Sequence, residues 1–519
     1  MRRRPPWYLT FVPALVTIAV ALPIAYLAVR AMEVDGAMLR EILLRERNLL
    51  LVRNTLGLML GVIAGSSLLA VPLAWLATST DIRGRGIVTL LSVLPLAIPG
   101  YVLGYSLLAL GSPYGPVQEL FGMTPFARAT GFGGALVTLT LYNFPFLFLT
   151  LRTGFLELDP ALGESARALG LSPLATFRRV TLPQLWPAFA SGALLVGLYV
   201  LGDFGVVSLM RFETFSYAIY LQYSASLDRA YAAWLAIGLL ALTITILAIE
   251  FRIAGRILLE RSGKGSRRER RLFRLGKWAL PAYAFVGTAL LFSLALPIGS
   301  ILFWTARARD FSVAELLPSL LDSLSVSIPV ALVATALALP VALLAGRFPS
   351  RAARGFERIA YLGYAIPPLA LALGFIFLTL KSVPFLYQSL ALLIAALAVH
   401  FLALALSPIR SAVRTASRTL EEASRSLGRG RRETFRAVSL PLLWPGIAGA
   451  GLLVFLSAMK ELPVSFLLAP LDFQSLPLRV YGYTTEAMFA EAGPYALAIL
   501  LLSSLGAALV LQVNPGDAR

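Results

Sequence analysis

The sequence has no cysteine and only one histidine among its 519 residues. Without cysteine, the chain cannot form a disulfide, a thiolate metal site or a cysteine-ligated iron–sulfur cluster. One histidine cannot supply the two that an HExxH zinc site needs. No GxxxxGK[ST] phosphate loop occurs either, because the Gly-Lys of "RSGKGSRRER" lacks that spacing. The sequence therefore does not predict ATP binding by that route.

Charge is also scarce. Only 14% of the residues are charged, against about 25% in a typical globular protein, and the mean hydropathy is +0.79. A helix needs about 20 apolar residues to cross the hydrocarbon core of a bilayer. About twelve such runs occur, near 8–29, 54–78, 87–110, 132–153, 188–210, 232–251, 279–304, 320–346, 359–380, 386–408, 446–469 and 493–513. The sequence predicts an all-α polytopic membrane protein.

The ends and loops of these spans predict the topology. The start "MRRRPP" resembles that of a signal peptide, but the apolar run that follows exceeds the 7–15 residues of a cleavable core, so we expect a retained anchor. With a cytoplasmic N-terminus, the inner segments carry 32 of the 45 Lys and Arg residues and the outer segments carry 13. This positive-inside bias and anionic lipid headgroups account for the net charge of +18. No nucleic-acid partner is predicted.

The chain contains an internal repeat. Thirteen of the 24 positions in 164–187 are identical to those in 422–445, at a constant offset of 258. Upstream, Pro72 and Pro340, like Ile98-Pro99 and Ile366-Pro367, align at offset 268. The difference falls most simply in the loop 111–131. We predict two parallel repeats of six spans: a first module 1–255, a basic linker 256–277 and a second module 278–519.

The repeated segments, 160–187 and 418–445, are polar loops on the side predicted to be cytoplasmic. In each, a short helix is predicted to end at Gly170 or Gly428, and an aromatic residue, Phe177 or Phe435, is followed by an arginine. Two prolines then fix the return to the membrane. Such a surface suits a groove on another protein. The alternative, an amphipathic helix lying on lipid headgroups, is disfavoured by the two matched copies.

These loops resemble the EAA motif of ABC-importer permeases. The triplets here are Glu164-Ser165-Ala166 and Glu422-Ala423-Ser424, each with one alanine replaced by serine. The resemblance implies the type I ABC-importer permease fold and a coupling helix in each loop that docks on a separate ATPase. The coupling residues that it implies are Glu164, Ser165, Ala166, Gly170, Phe177, Glu422, Ala423, Ser424, Gly428 and Phe435.

The stretches "LPLAIPGYVLGYSLLAL", "LGDFGVVSLM" and "AMKELPVSFLLAPLDFQSLPLRVY" resemble the fused permeases of ferric-iron ABC importers. That resemblance implies a bacterial inner-membrane permease, with two ATPase copies, a periplasmic or extracellular binding protein and membrane lipid as partners. ATP and Mg are expected in the ATPase, so this chain would bind no cofactor and would not itself be an enzyme. Alternative cargoes of the wider group are thiamine, phosphonate, sulfate and polyamine.

Two acidic residues, Asp203 and Glu461, correspond at offset 258. Each lies 16 residues after the last proline of its loop, about 24 Å along a helix. Acids at such a depth usually face an interior cavity, and Fe³⁺ prefers oxygen ligands. They are candidates for the substrate pathway, although Glu461 could instead pair with Lys460, or both could lie at the aqueous interface. No firm metal site is predicted.

His400 lies within a span, where a packing role is favoured over a substrate contact. Five tyrosines follow the two acids, and an interfacial aromatic belt, ferric-iron contact or contact with the binding protein could each explain them. They are Tyr217, Tyr220, Tyr223, Tyr481 and Tyr483.

Two other functional classes are weighed against an importer. "TSTDIRGRG" suggests the major-facilitator signature, but its leading glycine is missing and such a transporter has no use for doubled coupling loops. A channel or scaffold without an energy source would conduct in the absence of an ATPase. We therefore expect alternating access driven by partner subunits.

Overall fold

The computed structural model of the chain describes residues 5–33, 45–122, 130–225, 229–258, 272–308 and 311–513. Across these ranges the regular structure is helical, and β-type pairing is limited to a single bridge between Thr80 and Phe273. Ten helices are long and apolar enough to cross a membrane, or twelve spans result if each of two bent pairs counts as one. The predicted all-α polytopic fold is confirmed.

The first half contains six membrane-crossing units and several short connecting helices. In chain order its helices are α1 (Tyr8–Met32), α2 (Glu46–Ser79), α3 (Arg85–Val93), α4 (Gly100–Leu110), α5 (Pro116–Phe121), α6 (Gly131–Glu157), α7 (Pro160–Ala168), α8 (Pro173–Thr176), α9 (Leu182–Gly202), α10 (Gly205–Leu209), α11 (Phe215–Ala225) and α12 (Arg229–Leu258).

The second half repeats this order. Its helices are α13 (Ala279–Leu290), α14 (Leu296–Thr305), α15 (Val313–Arg347), α16 (Arg351–Ala365), α17 (Pro368–Ser382), α18 (Leu390–Thr415), α19 (Arg418–Ser426), α20 (Arg431–Thr434), α21 (Leu440–Met459), α22 (Pro463–Leu468), α23 (Leu476–Thr485) and α24 (Phe489–Val513). Helices α13 and α14 are joined by one π-helical turn, Leu291–Ala295.

The predicted spans 87–110 and 359–380 are not single straight helices. The unit Arg85–Ala97 is bent by 91° from α4, and α16 is bent by 104° from α17. Proline causes both breaks, since it has no N–H to donate and disfavours helical backbone at the preceding residue. Ile98 and Ile366 accordingly have extended ψ angles of 115° and 127°.

The first helix of each half packs on the other half. Helix α1 packs against α15, α16 and α17, and α14 packs against α4. Hydrogen bonds support the second contact, because Ser300 Oγ donates to the carbonyl of Ser106 and Trp304 Nε1 to that of Ala109. The two halves are therefore joined by exchanged helices as well as by the linker.

All six units of each half connect two faces of the bundle. We call the end that carries the two repeated loops the loop face, and the opposite end the far face. The start of α1 lies at the loop face, since Leu9 packs on Leu344 and Ala353. At the far face, Arg307 pairs with Glu119 and Lys381 pairs with Glu33, each across the two halves. Both halves thus run in the same direction, as a parallel repeat requires.

The end of the predicted linker 256–277 docks on the first half. The amide of Phe273 donates to Ser79 O, and the amide of Leu275 donates to Asp81 Oδ1. Residues 259–271 of that linker lie outside the described residues. The same holds for residues 1–4 of the basic N-terminal segment and residues 123–129 of the loop 111–131. The module boundary at 255/256 stays a prediction.

Candidate functional site

The repeated loops share one backbone design. Helices α7 and α19 each end at a glycine with left-handed backbone, Gly170 at φ +88° and Gly428 at φ +86°. The amide of Gly170 donates to Arg167 O, and that of Leu171 to Ala166 O. The second loop repeats both bonds with Gly428 and Arg429 as donors. This helix-ending motif needs the φ > 0 that glycine adopts most easily, so the two predicted helix stops are found as expected.

The most exposed apolar side chains of both loops are leucines. Leu169 is 85% exposed and Leu427 is 84% exposed, and the two correspond at offset 258. Leu162 and Leu420, also a matched pair, are 51% and 50% exposed. Exposed apolar groups at matched positions of two loops indicate a surface that a partner covers. Sequence reasoning missed these leucines, although Leu169 and Leu427 are among the thirteen identical positions.

The predicted coupling residues are distributed around this surface. Three of them are exposed, namely Ser165, Glu422 and Ala423, and Glu164 is half-buried. Ala166 and Ser424 occupy matched positions on the buried side of α7 and α19. Phe177 is 37% exposed and Phe435 is half-buried. The two phenylalanine side chains are therefore less exposed than the two leucines. Each phenylalanine is the first residue of a π-helical turn.

That π-helical turn joins each loop directly to a membrane helix. It spans Phe177–Thr181 in the first half and Phe435–Ser439 in the second, and α9 and α21 follow without a break. Helix α9 has 21 residues, about 30 Å at 1.5 Å per residue. Each loop is therefore continuous with a helix that is long enough to cross the membrane.

The ends of α9 and α21 that lie away from the loops meet in what we call the central junction. It comprises residues 99–101, 202–205, 367–368 and 460–462. A Cβ on Gly205 would lie 2.8 Å from that of Tyr101 and 3.2 Å from Leu462 Cδ2, so glycine permits this approach. A Cβ on Gly202 would lie 3.1 Å from Pro368 Cδ. Broken helices of both halves thus touch at one place.

Asp203 and Glu461 lie in this junction and act as helix caps. Asp203 Oδ1 accepts from the amides of Val206 and Val207 at 3.0 and 3.2 Å. Glu461 Oε1 accepts from Val464 N at 2.6 Å, and its Oε2 accepts from Ser465 N and Oγ. These bonds satisfy the first amides of α10 and α22. The alternative in which Lys460 pairs with Glu461 is not found, since Lys460 Nζ donates to Leu96 O at 3.1 Å.

The two acids are 8% and 7% exposed, which places them inside the protein and not at an aqueous interface. One oxygen of Asp203 and both oxygens of Glu461 accept from backbone amides, so the geometry gives each residue a structural role. A contact with substrate stays a prediction.

An aromatic cluster from both halves closes the far-face side of the junction. Phe204 and Tyr220 of the first half pack against Phe466 and Tyr481 of the second, with ring centroids 5.1 to 5.6 Å apart. Aromatic rings at these separations make favourable contacts. The halves are therefore in contact on that side of the junction.

The remaining candidate residues lie outside the junction. His400 is 5% exposed and stacks on Tyr364 at 5.4 Å, which favours the packing interpretation. Tyr223 and Tyr387 bring their hydroxyl oxygens to 3.3 Å across the two halves. Among the described residues, no three His, Asp or Glu side chains come together in a way that could hold a metal ion.

Comparison with known proteins places both halves in one family. The model of the family described as binding-protein-dependent transport system inner membrane component matches residues 57–258 and 338–515. An Fe(3+)-transport system permease protein of Haemophilus influenzae is 32% identical over 97% of this chain and 98% of its own length. A molybdenum transport system permease of Azotobacter vinelandii is 29% identical, over 39% of this chain and 93% of its own. A probable sulfate transport system permease of Chlorella vulgaris is 33% identical, over 27% of this chain and 52% of its own.

Proposed function

The chain belongs to the binding-protein-dependent transport system inner membrane component family, and we propose that it is the fused permease of an ATP-driven ferric-iron importer. Support for the cargo comes from similarity along the whole chain. The Fe(3+) permease relative matches 97% of this chain, whereas the molybdenum and sulfate relatives match 39% and 27%. The similarity to the Fe(3+) relative thus includes both halves and the connection between them.

The proposed energy source is a pair of ATPase subunits, one on each repeated loop. The support is geometric. Each loop presents one leucine that is at least 84% exposed, at matched positions, beside exposed arginines. An apolar side chain flanked by charge is the kind of group that anchors a protein interface. Two such surfaces on one chain fit two copies of one partner.

The proposed mechanism is alternating access through the central junction. Closure of the two ATPase subunits on ATP would move the repeated loops. Helices α9 and α21 would carry that movement to the junction, where both end in a break. The aromatic cluster would then separate, since its rings belong to both halves, and open the path from the far face. A binding protein would deliver substrate at the far face, which we propose faces the periplasm.

Transport of an oxyanion is the second candidate. It is favoured by the sulfate and molybdenum relatives at 33% and 29% identity. It also fits the junction, where Asp203 and Glu461 both accept hydrogen bonds from backbone amides and the amino group of Lys460 lies close by.

Uptake by proteoliposomes distinguishes these proposals. The permease is reconstituted with its ATPase and binding protein, and labelled ferric iron is compared with sulfate, molybdate, thiamine and phosphonate. We expect ATP-dependent uptake of ferric iron and none of the other four. Vesicles with a hydrolysis-deficient ATPase serve as the control. Uptake of an oxyanion instead would overturn the cargo, and uptake without any ATPase would overturn the importer mechanism in favour of a channel.

A further inference from the structure

Helix α16 carries a row of arginines on its exposed side. Arg351, Arg354 and Arg358 are all exposed, whereas Ala353, Glu357 and Ala360 of the same helix are buried. Spacings of three, four and seven residues place the three guanidinium groups on one side of a helix. The helix begins at the loop face, four residues after Arg347, and is bent by 104° from the membrane-crossing α17.

This row has no carboxylate partner among the described residues. The acidic residue of the helix, Glu357, faces inward and pairs with Arg410 at 2.9 Å. Like charges three and four residues apart on a helix repel each other. An external anion that binds along this row would relieve that repulsion.

The matching helix of the first half indicates what lies opposite the row. At offset 268, Arg354 corresponds to Gly86 and Arg358 to Leu90. Leu90 is 54% exposed and its neighbour Ile87 is 63% exposed. Helices α3 and α4 together form one of the two bent membrane-spanning pairs. Bulky apolar side chains exposed on the outside of such a pair face lipid. The same positions of α16 should therefore also face lipid, since the two halves are parallel repeats.

We propose that α16 is a binding site for anionic phospholipid headgroups in the leaflet on the loop face. The arginine stems would lie along acyl chains while the guanidinium groups reach the phosphates. The side chains of Leu362 and Tyr364, both 45% exposed, continue this surface toward the hydrocarbon. The first half would lack the site, because only one of the three matched positions, Arg83, is an arginine there. The proposal does not depend on the cargo.

Native mass spectrometry of the purified full chain tests the site. The chain is titrated with phosphatidylglycerol and, separately, with phosphatidylcholine, and bound lipids are counted. Arg354→Gln with Arg358→Gln should weaken phosphatidylglycerol binding about fivefold for each arginine removed and leave phosphatidylcholine unchanged. The matched control, Arg83→Gln with Arg85→Gln, removes the same charge at the start of α3 and should leave phosphatidylglycerol binding unchanged.

A reverse variant keeps the test independent of any folding defect. Gly86→Arg with Leu90→Arg transfers the row to the first half, where a Cβ at Gly86 would meet nothing within 4 Å. It should add a second phosphatidylglycerol site. Equal loss in the α3 control would overturn the proposal, because net charge alone would then set the binding. Unchanged lipid binding with reduced ATPase copurification in the α16 variant would also overturn it, in favour of a protein partner.

Discussion

The two repeated loops have the same backbone but are attached to the protein differently. In the second loop, Glu421 accepts from Arg347 at 2.8 Å and from Ser439 Oγ at 3.1 Å. Arg418 donates to the carbonyls of Gly346 and Arg347. The position of Glu421 in the first loop is Gly163, and that of Arg347 is Ser79. The first loop therefore cannot form this ion pair.

A smaller difference lies on the buried sides of α7 and α19. Ser424 Oγ and Thr434 Oγ1 are 3.2 Å apart in the second loop. In the first loop alanine replaces the serine, and Thr176 Oγ1 is buried without a hydrogen-bond partner among the described residues. Within the first loop, the amide of Ala161 donates to Asp159 Oδ1, and Arg167 Nε donates to Gly163 O.

Two loops with closely similar sequences can therefore differ in how firmly they are attached to the rest of the protein. Both loops present the same leucine, yet the ion pair that fixes the second loop to the end of α15 has no counterpart in the first. Ordering a flexible loop on binding costs free energy that a preorganised loop does not lose. We therefore expect the second loop to contribute more to partner affinity.

The largest expected effect comes from the exposed leucines. Leu427→Asp should weaken ATPase binding by about 30-fold, the effect of losing an anchor worth about 2 kcal/mol, and Leu169→Asp should weaken it less. Binding is measured as ATPase retained on immobilised permease. Leu174→Asp is the control, since Leu174 is 59% exposed but corresponds to Arg432. A comparable loss with Leu174→Asp would mean that any added acid disrupts docking.

Removing the ion pair should loosen the second loop alone. Arg347 and Glu421 are 12% and 18% exposed, so Arg347→Ala should cost about 2 kcal/mol, somewhat less than a fully buried pair. Amide hydrogen exchange of residues 418–430 should then speed up about 30-fold, while that of 160–172 stays the same. Transferring the pair with Ser79→Arg and Gly163→Glu should slow exchange in the first loop. Faster exchange in both loops of Arg347→Ala would contradict a local role.

The two acids that follow α9 and α21 also differ between the halves, in how they accept their hydrogen bonds. Asp203 uses one oxygen for both of its bonds, whereas Glu461 uses two. Asp203→Asn can keep its acceptor, but Glu461→Gln must present an NH₂ group to an amide donor. We expect Glu461→Gln to be less stable by about 1.5 kcal/mol, measured by thermal unfolding of the purified permease.

Asp203→Asn is then the sharper test of the substrate pathway, since it leaves the cap in place. Reduced uptake with normal assembly would support a role for this acid in transport. Equal destabilisation by the two variants would contradict the different use of oxygens by the caps.

Much of this protein follows from local and repeated patterns. Apolar runs of about 20 residues predict the spans, and the constant offset predicts two parallel halves. Gly170 and Gly428 predict the ends of α7 and α19, because a left-handed helix stop depends on only a few neighbouring residues. Ile98-Pro99 and Ile366-Pro367 could also have predicted the two breaks, but a count of apolar residues passes over them.

Other features depend on residues that are distant in the sequence. In the sequence, Glu421 is indistinguishable from an ordinary surface acid. Its ion-pair partner Arg347 lies 74 residues away along the chain, and only the fold brings the two together. From the sequence, Asp203 and Glu461 resemble unpaired acids in a membrane. In the folded chain, the breaks after α9 and α21 direct backbone amides toward both carboxylates.

The membrane class, the duplication and the place of the two loops follow from the sequence alone, because apolar runs and repeated residues can be recognised along the chain. The folded structure was needed to show that an ion pair fixes the second loop to α15, that leucines and not phenylalanines are the most exposed apolar groups of the loops, and that the two acids cap helices. The physical reason is that exposure and pairing depend on which groups the folded chain brings within a few ångströms, and no local pattern encodes that.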